Sequence, residues 1–141
     1  MYNHVPTIFN HEPSAQEVFD AAVRHLARQK RKSIKFSDDF KDTYCVYRHP
    51  EGYACVVGHF IPNEAYNPRM EANDAEIIVE KFGHKLPEWM SKHVFLLLHL
   101  QNAHDISKTL EELKQQLRSI AKDHLISDKL VDEIKIFDFV E

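Results

Sequence analysis

At 141 residues the chain offers room for one domain, residues 1–141, and too little for a second. A content of 43% hydrophobic and 28% charged residues, with 3 glycines, excludes a disordered, collagenous or low-complexity protein. The formal net charge of −4 hides an uneven spread, because Arg24, Arg28, Lys30, Arg31, Lys32 and Lys35 fall close together and the remaining 12 basic residues face 22 acidic ones, a net −10. Such a chain can attract an anion at one end while its acidic body favours a basic partner.

Residues 1–13 carry no element signal and are expected to be loosely ordered. Ser14-Ala15-Gln16-Glu17 is a capping box. Val18, Phe19, Ala22, Val23 and Leu26 then repeat on one helical face, which predicts a helix to about Arg31. From Thr43 the period changes to two. Thr43 to Arg48 and Tyr53 to Gly58, joined by His49-Pro50-Glu51-Gly52, predict a β-hairpin with Cys45, Tyr47, Tyr53, Cys55 and Val57 on one face. Ile61 to Pro68 predicts a helical turn closed by Pro68. Asn73 and Asp74 open a short helix that Gly83 is expected to end in the left-handed conformation.

Pro87 to about Ala103 predicts a central buried helix, apolar nearly all round, and Leu110, Leu113, Leu117, Ile120 and His124 predict a further amphipathic one. Residues 128–140 fit a helix followed by a short extended end. The expected class is α+β: a helix, a β-hairpin, then a helical C-terminal half packed as a single layer on the hairpin. No apolar run approaches the ~20 residues that cross a bilayer, and the first residues lack a basic start and an apolar stretch, so a cytoplasmic protein is expected. Cys45 and Cys55 are expected to be free thiols.

Cys45-Val46-Tyr47-Arg48, Gly52, Cys55-Val56-Val57-Gly58 and Ile61-Pro62 resemble a pattern of small uncharacterised phage and bacterial proteins: Cys-x-Tyr-Arg, a turn glycine, Cys-Ala-Val-Gly and Ile-Pro. Leu100-Gln101 and His104-Asp105 resemble the Leu-Gln-x-x-His-Asp ending of the same proteins. In this chain Val56 stands where alanine is usual and His59 where another cysteine is common. The resemblance implies a helix, hairpin, helices architecture and a phage or mobile-element setting, and brings no activity with it.

Several chemistries compete for these residues. Cys55 with His104 and Asp105 would make a thiol nucleophile activated by imidazole, but a cysteine between valines is more simply a packed hydrophobe. Cys45, Cys55, His59 and His99 or His104 are zinc-type ligands without the close spacing of a structural site, so no metal and no cofactor are expected. The basic residues Arg24, Arg28, Lys30, Arg31 and Lys32, beside Tyr44, Tyr47 and Tyr53, give an alternative as a nucleic-acid-binding module. The favoured expectation is a non-catalytic accessory protein that docks on a protein partner as an inhibitor or immunity-like protein. Its surface would be Tyr44, Tyr47, Arg48, His49 and Tyr53, since tyrosine and arginine dominate interface hot spots. An enzyme dependent on thiol or metal ranks third.

Overall fold

The first helix begins where its capping box places it. In the computed structural model, which describes residues 2–140, α1 spans Ala15–Gln29. Ser14 Oγ accepts from the Glu17 amide, and the Glu17 carboxylate accepts from the Ser14 amide at 3.0 Å. The helix stops two residues before Arg31 because Lys30 turns left-handed at φ 64° while its amide still donates to Leu26 O.

The hairpin lies elsewhere than the alternation predicted. β1 (Ile34–Ser37) and β2 (Asp42–Cys45) pair antiparallel, with Ile34 opposite Cys45 and Phe36 opposite Thr43. The expected second strand is instead α2, Val56–Phe60, every residue of which is buried. A run that is apolar on all sides fits a short buried helix as well as a strand, and periodicity cannot separate the two. The turn between them survives in reduced form: the His49 amide donates to Tyr53 O, and Arg48 bridges Ala54.

Two short 3-10 turns follow, Asn63–Ala65 and Pro68–Met70. Pro68 opens the second turn rather than closing the first, which suits a residue with fixed φ and no amide to donate. α3 (Ala75–Phe82) is capped by Asp74, whose Oδ1 accepts from the Ile77 amide. Gly83 departs from expectation, staying right-handed at φ −55° as the chain tightens into another 3-10 turn. The predicted helix from Pro87 divides at His93 into α4 (Trp89–Lys92) and α5 (Val94–Ile106).

The last long helix, α6 (Leu110–Asp123), buries Leu113, Leu117 and Ile120 on one seam. Residues Lys129–Glu133 form a 3-10 turn, and Asp138 then bridges Arg31 in parallel. α5 is the axis of the fold, with α1, α2, α3, α4 and α6 all packed on it. Phe19, Leu26, Phe60, Leu97, Leu100, Leu113 and Leu117 form the fully buried centre. No helix among the described residues is long and apolar enough to cross a membrane.

Residues before the first helix lie across this body as a strap. Tyr2 and His4 donate their amides to Glu51 O and Gly52 O, Thr7 Oγ1 meets His59 Nε2 at 2.7 Å, and Phe9 packs edge-on against Trp89. Gly52 permits the crossing: its φ is +93°, and a Cβ there would sit 1.5 Å from Tyr2 O.

Candidate functional site

A cleft of about 490 Å³ opens between β2, the Asn73–Asp74 turn and α5. Its apolar floor is Val46, Cys55, Ala75 and Leu98, and its polar wall is Asp74, Asn102 and Asp105. The two stretches that carried the phage-protein resemblance therefore meet here, since Cys45, Tyr47 and Cys55 come from one and Gln101 and Asp105 from the other.

Asp105 organises the wall. Its Oδ1 accepts from Gln101 Nε2 at 2.7 Å and from His104 Nδ1 at 2.9 Å, while the Cys45 thiol donates to the same carboxylate. His104 Nε2 accepts from the Ser33 amide at 3.1 Å, so the ring proton sits on Nδ1. Gln101 is fixed in turn because its Oε1 accepts from the Val57 amide at 2.9 Å, at the start of α2. Burial pushes the Asp105 carboxyl up, yet the hydrogen bonds from His104, Cys45 and Gln101 outweigh it and hold the group below the usual carboxylate range.

This order of groups decides what the cleft can do. In a thiol nucleophile the imidazole stands between thiol and carboxylate, whereas here the carboxylate stands between thiol and imidazole. His104 thus has no lone pair to offer the thiol. Burial and the Asp105 charge raise the Cys45 thiol far above its ordinary value, and burial raises Cys55 likewise. The same geometry bears on metals. The ligand atoms of Cys45, His104 and Asp105 lie within 4.8 Å of one another. An ion would nevertheless need the Nδ1 proton removed, the thiol ionised, and the Ser33 amide left facing an Nε2–H. The trio is a hydrogen-bonded network. We expect both thiols to resist iodoacetamide at neutral pH in the folded protein and to react within minutes in urea, as mass spectrometry would show.

No family model, curated protein or solved structure matches this chain. The residues themselves therefore carry the functional argument.

The expected partner-binding residues separate. Tyr44 is 47% exposed on β2, but Tyr47 is buried and donates its hydroxyl to Asn73 O. Arg48 is spent internally, donating to Gly58 O, Ile61 O and Asn63 Oδ1, and its amide and that of Tyr47 donate to the Glu71 carboxylate. His49 and Tyr53 lie half-buried at the turn that follows. The basic set separates too. Arg24, Arg28 and Lys30 are exposed, Arg31 is half-buried, and Lys32 is buried with Nζ donating to Asp105 O. The cysteine beside Asp105 in the network is Cys45, held by β2, rather than Cys55.

Sequence reasoning left out two exposed aromatics of the hairpin. Phe36 is 49% exposed on the face opposite Tyr44, and Phe40 is 84% exposed at the turn that carries Asp38-Asp39. It also left out a buried group of imidazoles, His25 and His59 stacked at 4.1 Å with His4 at 5.1 Å from His59. These residues are far apart in the chain and form no local motif that could have announced them.

Proposed function

We propose that this is a non-catalytic, cytoplasmic binding protein of the inhibitor or immunity type, which grips a basic segment of a protein partner in the cleft under its hairpin. A phage or mobile-element setting accords with this reading. The observation that carries it is an acidic cleft beside a hairpin that exposes aromatic rings. Phe36 and Tyr44 are exposed on opposite faces of the hairpin and Phe40 at its turn, on a segment that also carries Asp38, Asp39 and Asp42, and the adjoining cleft adds Asp74 and Asp105. A partner's lysine or arginine can lay its methylenes on Val46, Ala75 and Leu98 and bring its cationic head to the carboxylates, a charge-assisted contact stronger than a neutral hydrogen bond. Exposed aromatics beside it supply the desolvated anchors that interfaces use. The acidic remainder of the chain would speed the encounter with such a partner.

Asn102 tests this reading without touching the network, because it is exposed on α5 and lines the cleft. Binding of a fluorescent hexa-arginine peptide should fall at least about tenfold in Asn102→Lys and rise in Asn102→Asp, since one introduces repulsion and the other a further carboxylate. Phe40→Ala should also weaken it. Equal affinity in all three variants would refute the reading.

A further inference from the structure

We propose that the end of α1 and the aromatic stack beside it form a second site, one that takes single-stranded nucleic acid. Arg24 and Arg28 stand one turn apart and exposed on α1, and Lys30 and Arg31 follow directly. None of the four forms an ion pair with a carboxylate among the described residues.

The aromatic half of the site is built onto these cations. The Arg31 guanidinium carbon lies 4.3 Å from the centre of the Tyr53 ring, and Tyr53 stacks on Tyr2 at 5.4 Å with the planes 13° apart. Arg31 Nε is buried and has no hydrogen-bond partner. Beside the stack is a notch of about 200 Å³ lined by Asn3, His4, Arg48, His49, Tyr53 and Asn63. His49 Nδ1 accepts from the Glu51 amide, so the proton is on Nε2, which is also buried without a partner. Within the notch itself His49 Nε2 is thus an unpartnered donor of the kind a phosphate oxygen fills, next to rings on which bases can stack.

Consecutive residues set the two depressions apart: Tyr47 lines the acidic cleft, while Arg48 lines this notch. Glu51, in the turn that carries His49, and Asp138, opposite Arg31, flank the second site, and Asp20 lies one helical turn before Arg24. Glu51 and Asp138 are exposed, and Asp20 accepts from Gln16 Nε2 rather than pairing with Arg24. A single strand can follow a short basic track, whereas a duplex would bring many phosphates against an acidic body, and the site is expected to discriminate accordingly.

The test uses the full chain and a fluorescein-labelled single strand of roughly twelve nucleotides, the matching duplex and hexaglutamate, each read by anisotropy. The single strand should bind most tightly, with log K falling against log salt at a slope of about −2 to −3, as three or four cations require. Arg24→Ala with Arg28→Ala should lose at least about tenfold, and both positions are exposed, so folding is undisturbed. Tyr53→Leu should lose a similar factor while Tyr53→Phe keeps its affinity, because stacking needs the ring and not the hydroxyl. Absence of binding at about 50 mM salt, equal affinity for the duplex, or an unaltered arginine variant would overturn the proposal. A preference for hexaglutamate would overturn it in favour of an acidic protein ligand.

Discussion

Replacing Gly58 by alanine is expected to cost about 4 kcal/mol or more, enough to unfold a large share of a domain whose total stability is of order ~5–15 kcal/mol. A Cβ at Gly58 would stand 2.1 Å from Tyr47 O and 2.7 Å from Tyr47 C. Both obstacles are backbone, so no rotamer change relieves the clash. The segment Tyr47–Arg48 cannot retreat either. Its amides are held by Glu71, and the Arg48 Nε donates to the carbonyl of Gly58 itself at 3.0 Å. Gly83 provides the contrast. It is right-handed with no atom within 4 Å of a built Cβ, so Gly83→Ala should be neutral or stabilise by about 0.5–1 kcal/mol. Urea denaturation of the two variants measures both effects, and a Gly58→Ala protein as stable as its parent would mean that α2 does not lie against Tyr47.

Acid should unfold this protein through its buried imidazoles. Burial lowers His25 to about 3 and His4 to about 4, and it lowers His59 further still. Both fully enclosed rings are neutral and already engaged, with His25 Nε2 donating to Ala54 O at 2.7 Å and His59 Nε2 meeting Thr7. Above about pH 6.5 the folded and unfolded states hold these rings neutral alike, so stability does not depend on them. Below that point the unfolded chain takes up protons that the folded chain refuses, and stability falls with pH until the folded rings themselves titrate. At pH 5 each buried ring costs about 2 kcal/mol, or about 4 kcal/mol for His25 and His59 together. Between pH 6 and 5, His59→Gln should reduce the slope of stability against pH by about 1.2 kcal/mol per pH unit. This readout is independent of any fixed loss of packing. An unchanged slope would show that His59 is not the group resisting the proton.

The acid response is also where the sequence was least readable. His4, His25 and His59 gather only because the strap crosses α1 and α2, and no spacing rule joins residues from three such segments. Local signals did better. Ser14 and Glu17 marked the first helix start, Asp74 marked α3, and the three-and-four spacing from Leu110 marked α6, because each is settled within one or two turns of chain. The hairpin was misplaced for a physical reason. The true turn, Asp38 to Lys41, has no glycine and places Lys41 at φ 53°, while Pro50 and Gly52 supply the stronger turn chemistry at a place where only one bridge forms. At the candidate site, sequence brought His104 and Asp105 together with a cysteine but chose Cys55. The choice of Cys45 follows from β2 pairing with β1, which anchors Cys45 opposite the buried Ile34.

The cleft beneath the hairpin is the centre of this account, and an amide-resolved NMR titration of the whole protein with a hexa-arginine peptide examines it most directly. Saturating shifts are predicted at Thr43, Tyr44, Asn73 and Asn102, which line the cleft, and should weaken as salt is raised. Shifts scattered over the acidic faces of α3 and α6, with the cleft amides unmoved, would show that the peptide senses only net charge and that the cleft is not its binding site.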